Sequence, residues 1–219
     1  MTKRILLLSN DNKIGDAIVM TGLLKPLRAH WPDCEIGVLC GTSNVVLYQN
    51  HPDVKWLHVS ASRNVFACLW ASLKARVVGY DMVVHFGLDL ASRSVQMMLN
   101  TIHAKQRFLF LKHPTQPLSN DVVMEGDWGD NPNSQAQHYS ARHLRFLQTL
   151  GITSGPYAYD IHLEQNTLTT RTQDEGLLMV INSQSSTDNR SLSLAWIRDF
   201  VNLVNKQHPH IRIQLLSAN

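Results

Sequence analysis

The stretch that decides the fold is residues 3–19, KRILLLSNDNKIGDAIV. Its first half is a short apolar run between Lys3 and Ser9, which predicts a buried β-strand. From Asp16 to about His30 the apolar residues recur at helical spacing, which predicts a helix. In an open α/β sheet the polar loop between the two, 10–15, lies at the carboxyl edge, where ligands bind. This loop has no Gly-x-Gly-x-x-Gly pattern, which disfavours a dinucleotide site.

The alternation of strand and helix continues through the first 150 residues. The predicted strands are 35–40, 54–59, 82–85 and 107–111, and the predicted helices are 41–50, 66–75, 91–100 and 139–150. Breakers such as Trp31-Pro32-Asp33 and His51-Pro52-Asp53 separate them. This order predicts an α/β fold with a Rossmann-like, doubly wound parallel sheet.

The rest of the chain predicts a linker and a second unit. Residues 114–132 are rich in Pro, Asn, Asp and Gly and predict a long irregular loop. Residues 152–175 are polar, and a second strand–helix–strand pattern follows at 177–181, 194–205 and 211–216. We therefore expect an N-terminal domain over 1–152, a linker over 153–176 and an incomplete second Rossmann-like domain over 177–219, because one βαβ unit cannot cover both faces of its sheet.

The composition excludes several classes of protein. The chain is 44% hydrophobic with a net charge of +3, and its Lys and Arg residues are dispersed, so no nucleic-acid partner is predicted. No apolar run approaches the roughly 20 residues of a membrane helix, and the N-terminus turns polar too soon for a secretory signal, so we expect a cytoplasmic location. Cys34, Cys40 and Cys68 are irregularly spaced, which indicates buried reduced thiols and neither a disulfide framework nor a metal site.

Asp16 is the first candidate functional residue, and the residues alone leave two roles open. A carboxylate at a helix start can cap free backbone N–H groups, which would make Asp16 an N-cap residue. At the mouth of a cleft it can instead accept a proton from a sugar hydroxyl. The preceding Gly15 is expected to let the backbone turn tightly.

Several of these segments together resemble the opening of glycosyltransferase family 9, the lipopolysaccharide heptosyltransferases. The resemblance lies in residues 3–8, the loop ending in Ile14-Gly15-Asp16, residues 21–28 (TGLLKPLR) and Trp31-Pro32-Asp33 followed by Glu35-Ile36. It implies a GT-B-type N-terminal domain that binds the acceptor. It also implies that Asp16 is the catalytic base that deprotonates the acceptor hydroxyl.

Two further stretches resemble the family and supply candidate acceptor-binding residues. Residues 80–88, YDMVVHFGL, resemble a family strand and loop, with His85 where an Asp is usual. In residues 138–142, HYSAR, a predicted helix places His138 and Arg142 on one face. Anionic acceptor groups or solvent are equally compatible with that face, and His85 is equally compatible with an ordinary loop position. Lys13 of the first loop completes this acceptor-binding set.

Residues 180–192, VINSQSSTDNRSL, resemble the strand and loop that open the family's nucleotide-sugar domain. By resemblance Ser185, Ser186 and Arg190 bind the donor diphosphate, and hydroxyl donors with one cation suit a pyrophosphate. Leu192-Ser193 replaces the usual Trp-Pro. The family's later nucleotide-sugar segments have no counterpart, so the resemblance covers about the first two thirds of a family member.

The resemblance implies an inverting, metal-independent transfer of heptose from ADP-heptose to the lipopolysaccharide inner core, without a cofactor. Peripheral contact with the inner face of the inner membrane is compatible with the slight basic charge. Two alternatives stay open. One is a truncated, catalytically inactive family member that keeps only acceptor-side binding. The other is a nucleotide-binding α/β module unrelated to sugars, which the missing glycine-rich loop disfavours.

Overall fold

The computed structural model describes residues 2–9, 12–60, 64–87, 93–110, 121–124, 140–153, 157–162, 177–182 and 192–216. Six strands of this part form one fully parallel sheet in the order β3-β2-β1-β4-β5-β6. They are β1 Arg4–Ser9, β2 Glu35–Gly41, β3 Val54–Ser60, β4 Met82–His85, β5 Gln106–Phe110 and β6 Asp121–Met124. The order reverses beside β1, as in a doubly wound sheet, so the predicted fold class is confirmed.

Five helices connect or follow these strands in the described residues. They are α1 Ile14–Thr21, α2 Leu24–His30, α3 Val65–Val78, α4 Arg93–Ile102 and α5 Ser140–Thr149. The single helix predicted up to His30 is therefore wrong, because the chain turns at Gly22 and Leu23. Pro26 explains the break, since its ring nitrogen cannot donate to the carbonyl of Gly22 and its ring would clash there. The ring of Tyr157 also packs against Gly22, where any Cβ would overlap it.

Two other predictions of local structure are wrong. In place of the helix predicted over 41–50 the structure has a three-residue 3-10 helix, Val45–Leu47. The flanking Asn44 and Tyr48 side chains are buried and hydrogen-bond to Ser9 and Ala17, which are distant in sequence. The irregular loop predicted over 114–132 contains β6, which pairs with β5. An ion pair stabilises that edge, with Arg107 Nε 2.5 Å from Asp121 Oδ1 and both side chains buried.

The sheet has an apolar core on each face. Along β1, Ile5 and Leu7 point into the core beneath α1, α2 and α5, while Leu6 and Leu8 point into the core beneath α3 and α4. This alternation follows from the two-residue period of a strand, and burial on both faces explains why the run is continuously apolar. Cys34, Cys40 and Cys68 are buried and unbonded to one another, as predicted.

The chain divides into two compact units, residues 1–165 and 166–219. The second unit contains the predicted strand–helix–strand pattern: β7 Leu178–Asn182, α6 Leu194–Gln207 and β8 Arg212–Leu216, with β7 and β8 parallel. The hydroxyl of Ser193 accepts a hydrogen bond from the Trp196 backbone N–H at 3.2 Å and caps α6. None of the described helices is both long and apolar enough to cross a bilayer.

Candidate functional site

The β1–α1 connection places Asp16 at the carboxyl edge of the sheet. Helix α1 begins at Ile14 and its N-cap residue is Lys13, which makes no side-chain capping hydrogen bond. The N-cap role considered for Asp16 is therefore wrong. Asp16 lies in the first helical turn, where a carboxylate faces the positive end of the helix dipole. Its side chain is 33% exposed, and its Oδ2 atom lies 3.7 Å from Lys13 Nζ.

The tight turn before α1 is made by Asn12, not by Gly15. Asn12 has φ 57°, a left-handed conformation that Asn tolerates better than most residues. Gly15 is helical, and a Cβ added to it would meet nothing within 4 Å, so the expected turning role of Gly15 is wrong. Asn12 Oδ1 accepts a hydrogen bond from the Ser43 backbone N–H at 3.2 Å. Gly41 makes this possible, because a Cβ there would overlap the Asn12 side chain.

Buried polar contacts fix the end of β1 against α1. The Asn44 side-chain amide donates to the backbone oxygen of Ser9 at 2.9 Å and to its hydroxyl at 3.1 Å. The Tyr48 hydroxyl lies 3.3 Å from Ser9 Oγ and donates to the Ala17 carbonyl at 3.0 Å. Asn44 and Tyr48 are therefore positioning residues for the Asp16 loop that the sequence analysis missed. No periodicity in the sequence identifies them, because their partners Ser9 and Ala17 are distant along the chain.

His85 ends β4, next to β1, and is buried rather than lying in an exposed loop. In the parallel register it pairs with Leu8, so its strand end and that of β1 meet at the same edge. Gly87 leaves room for the imidazole, since a Cβ there would lie 2.7 Å from His85 Nε2. Only 6% of His85 is exposed, which restricts any acceptor contact to its edge.

Arg142 joins this edge from α5. Its Nη1 atom donates a hydrogen bond to the Phe86 carbonyl at 2.9 Å, directly after β4. The side chain is half-buried, so the solvated helix face that the sequence left open is wrong for this residue. The neighbouring His143 is fully buried between the Phe86 ring at 4.1 Å and the Tyr157 ring at 5.9 Å.

The structure thus places four of the candidates, Lys13, Asp16, His85 and Arg142, on the carboxyl side of the sheet. His138, Ser185, Ser186 and Arg190 lie outside the described residues. A cavity of about 580 Å³ lies elsewhere, beside α2, and its lining includes Lys25 and Tyr157 but none of the candidates. The arrangement described around Asp16 is a partly exposed carboxylate at the sheet edge, where it can accept a proton from a bound hydroxyl, with the Lys13 ammonium 3.7 Å away.

Other residues of the recognised motifs make structural contacts away from Asp16. Burial raises the pKa of Tyr80, whose hydroxyl hydrogen-bonds His58 Nε2 at 2.8 Å. Asp81 Oδ2 accepts the Arg4 backbone N–H at 2.9 Å, and Oδ1 lies 2.6 Å from Lys105 Nζ. The Arg28 guanidinium contacts Asp53 Oδ1 at 3.2 Å and donates to the carbonyls of Pro32, Cys34 and Asp53. Asp81 and Arg28 therefore tie the starts of strands together at the amino edge, whereas the Tyr80 hydroxyl reaches across the sheet face to His58, which is level with His85 in the strand register.

No protein-family model and no curated protein sequence matches the chain. Solved structures do match it. A family 9 glycosyltransferase from Veillonella parvula superposes with a TM-score of 0.72 at 15% identity, over 97% of this chain and 62% of that one. The chain has the glycosyltransferase family 9 fold.

Two Escherichia coli enzymes share this fold. Heptosyltransferase WaaC, with ADP-2-deoxy-2-fluoro heptose bound, matches with a TM-score of 0.68 at 16% identity, over 99% of this chain and 69% of that one. ADP-heptose lipopolysaccharide heptosyltransferase II matches with a TM-score of 0.60 at 12% identity, over 97% and 63%. The resemblance inferred from the motifs is confirmed at the level of the fold, and the chain spans roughly two thirds of these structures, as expected.

Proposed function

We propose that the protein is a glycosyltransferase that moves heptose from ADP-heptose to a sugar of the lipopolysaccharide inner core. The observation that supports this most is Asp16, a partly exposed carboxylate at the carboxyl rim of a sheet with the heptosyltransferase fold. The similar WaaC structures contain ADP and an ADP-heptose analogue, which favours a nucleotide sugar as the donor.

In the proposed reaction Asp16 accepts the proton of the acceptor hydroxyl. The hydroxyl oxygen attacks the anomeric carbon from the face opposite the ADP, the new glycosidic bond forms and the bond to the diphosphate oxygen breaks. The configuration at this carbon inverts and ADP leaves with the electron pair. Ser185, Ser186 and Arg190 stabilise the departing diphosphate through hydroxyl donors and one cation, without a metal ion.

Lys13, His85, His138 and Arg142 are the proposed acceptor-binding residues. Lys13 and Arg142 carry positive charge, which suits the phosphate or carboxylate groups of a lipopolysaccharide core. Arg142 also positions the segment after β4 through the Phe86 carbonyl. Substitution of Arg142 is therefore expected to raise KM through lost binding and to move His85 as well.

The test compares Asp16→Asn with Asp33→Asn, an exposed carboxylate in the turn before β2. ADP release is measured from ADP-heptose and a heptose-free lipopolysaccharide core. We expect Asp16→Asn to lower turnover by about 10²–10⁴-fold while the chain stays folded and loses only the helix-dipole interaction, about 0.3–1 kcal/mol, and Asp33→Asn to leave turnover unaltered. Equal turnover in the Asp16 and Asp33 variants contradicts the role of Asp16 as base.

The alternative is a chain that binds the acceptor but catalyses nothing. Titration calorimetry with ADP-heptose separates this from the transferase. Binding of ADP-heptose that weakens in Arg190→Ala supports the proposed donor site. Acceptor binding without any ADP-heptose binding supports the inactive chain.

We also propose that the protein works in the cytoplasm against the inner face of the inner membrane, through α3. Phe66, Trp70, Leu73 and Val77 recur at positions i, i+4, i+7 and i+11 and form one exposed apolar stripe, with Phe66 84% and Val77 88% exposed. A soluble helix normally buries such a stripe.

The positive charges of α3 favour an anionic lipid surface as the partner that covers this stripe. Lys74 and Arg76 project on opposite sides of it, and the helix sequence contains no acidic residue. Each cation near anionic lipid contributes about 1 kcal/mol of attraction, and Lys74 Nζ already lies 5.6 Å from the centre of the Trp70 ring.

Sedimentation with phosphatidylglycerol vesicles tests this contact. Phe66→Ser with Trp70→Ser is expected to weaken vesicle binding at least about tenfold, because each buried aromatic contributes about 1.5–3 kcal/mol. Trp196→Ser, which removes a half-exposed Trp of the second unit, is the matched control. Equal binding by the two variants excludes α3 as the contact.

A further inference from the structure

Three side chains that could bind a metal ion converge away from the candidate catalytic edge. His51 lies in the turn before β3, and Asp160 and His162 lie in the segment after α5. His51 Nε2 is 3.4 Å from Asp160 Oδ2, and His162 Nε2 is 3.1 Å from Asp160 Oδ1. One ligand atom from each residue lies within 4.8 Å of the others.

Burial and unsatisfied atoms indicate that something binds between these groups. The side chain of His51 is 0% exposed and that of Asp160 is 9% exposed. Within the described residues, His51 Nε2 and Asp160 Oδ2 face each other at 3.4 Å, and neither makes a hydrogen bond of good geometry. Buried polar atoms without a good hydrogen bond are costly, about 1–3 kcal/mol for each. A cation placed between them satisfies both.

We propose that His51, Asp160 and His162 bind a first-row divalent transition metal ion, with Zn²⁺ as the type ligand. Two imidazoles and one carboxylate form a recognised ligand set for such ions. The two observed separations, 3.4 Å to Oδ2 and 3.1 Å to Oδ1, involve different oxygens of Asp160, so an ion between the imidazoles either contacts both oxygens or binds after a small rotation of the carboxylate.

Lys25 and the Asp53 backbone N–H both oppose metal binding, and the changes they must undergo can be measured. Lys25 Nζ lies 3.1 Å from Asp160 Oδ1, but 72% of this side chain is exposed, so it can move into solvent. The Asp53 backbone N–H donates to His51 Nδ1 at 3.2 Å. Coordination through Nε2 leaves the imidazole proton on Nδ1, so the hydrogen bond from Asp53 must break when the metal binds.

The metal would join segments that are far apart in the sequence. Asp160 is already anchored to the last residue of α1, because its backbone N–H donates to Thr21 Oγ1 at 3.0 Å. Tyr157 donates to the Val19 carbonyl at 2.7 Å. Coordination adds the turn before β3 to this junction, and closing so long a loop stabilises the folded state of residues 1–165. Asp16 supplies no ligand, so the proposed transfer stays independent of the metal.

The experiment titrates the full chain with Co²⁺ alone and then displaces it with Zn²⁺. We expect one equivalent of Co²⁺ to give the visible absorption of a four-coordinate site, and Zn²⁺ in about 100-fold excess over its Kd to raise the melting temperature by on the order of 5 °C. His162→Ala, at a 40% exposed side chain, should lower the affinity at least about tenfold while the chain still folds. His30→Ala, an exposed histidine of α2, is the control and should not change the affinity.

Two further measurements separate this site from adventitious binding to other histidines. Lys25→Gln should tighten Co²⁺ binding roughly tenfold, because it removes a competing positive charge. In NMR spectra Zn²⁺ should shift the Asp53 amide signal as its hydrogen bond to His51 breaks. Affinity equal in His162→Ala and His30→Ala, or an Asp53 amide that does not respond while Zn²⁺ is bound, overturns the proposal.

Discussion

Alanine substitution of two glycines that flank the Asp16 loop should have opposite effects on stability. At Gly15 a Cβ meets nothing within 4 Å and the backbone is helical, so Gly15→Ala should stabilise the fold by about 0.5–1 kcal/mol. At Gly41 a Cβ overlaps the Asn12 side chain and lies 3.3 Å from its Cα. The Asn12 side chain must then move away from the Ser43 backbone N–H, and their hydrogen bond is lost. Gly41→Ala should therefore lower the free energy of unfolding by about 0.5–1.5 kcal/mol for this bond, and further for the displacement of the loop.

A double-mutant cycle sharpens this prediction. Asn12→Gly removes the overlapping side chain, and glycine tolerates the φ of 57° at that position. Asn12→Gly should therefore relieve most of the defect of Gly41→Ala, with a coupling energy of at least about 0.5 kcal/mol. Urea unfolding gives the free energies, and a change of 1 kcal/mol corresponds to about 2–4 °C in melting temperature. Gly41→Ala as stable as the unmodified chain, or additive effects of the two substitutions, would refute the described loop geometry.

Three more predictions concern the framework. Tyr80→Phe should cost about 1–2 kcal/mol in urea unfolding, since it leaves the buried His58 without its 2.8 Å partner. Arg107→Met should cost about 3–5 kcal/mol because Asp121 stays buried and charged, and adding Asp121→Leu should restore most of the loss. Burial lowers the pKa of both His58 and His51 below 6.5, so near that pH the unfolded chain binds more protons at these two residues. Their contribution to the unfolding free energy, measured by urea unfolding of the chain and of its His58→Gln variant, should be constant above pH 6.5 and fall as the pH drops through 6.5 toward the folded pKa values.

The strands were predictable because each is a short apolar run with a breaker on either side. β1 and β2 begin and end within one residue of their predicted bounds, since burial on both faces leaves an unbroken apolar pattern. β6 could not be predicted, because its sequence, DVVM, is short and its pairing depends on the distant Arg107. The helix predicted over 41–50 failed for a similar reason, since the hydrogen bonds of Asn44 reach residues that are distant in sequence.

The position of Asp16 at the sheet edge was predictable from the βα pattern, but its surroundings were not. The resemblance identified Asp16, and the fold explains why the end of β1 presents it at the rim. The left-handed turn at Asn12 and the space left by Gly41 depend on a second loop that no local pattern connects to the first. Gly15, which the sequence analysis expected to make the tight turn, is helical and has no neighbour within 4 Å of an added Cβ.

The Asp81 and Arg28 contacts at the amino edge have an evolutionary consequence. These recognisable residues hold strand ends in register, whereas Asp16 lies at the opposite end of the same strands. A descendant that lost the carboxylate at position 16 would therefore still display most of the motif residues by which relatives are recognised. Conversely, a lineage that replaced these framework contacts with other residue pairs would keep Asp16 and yet no longer match the motifs.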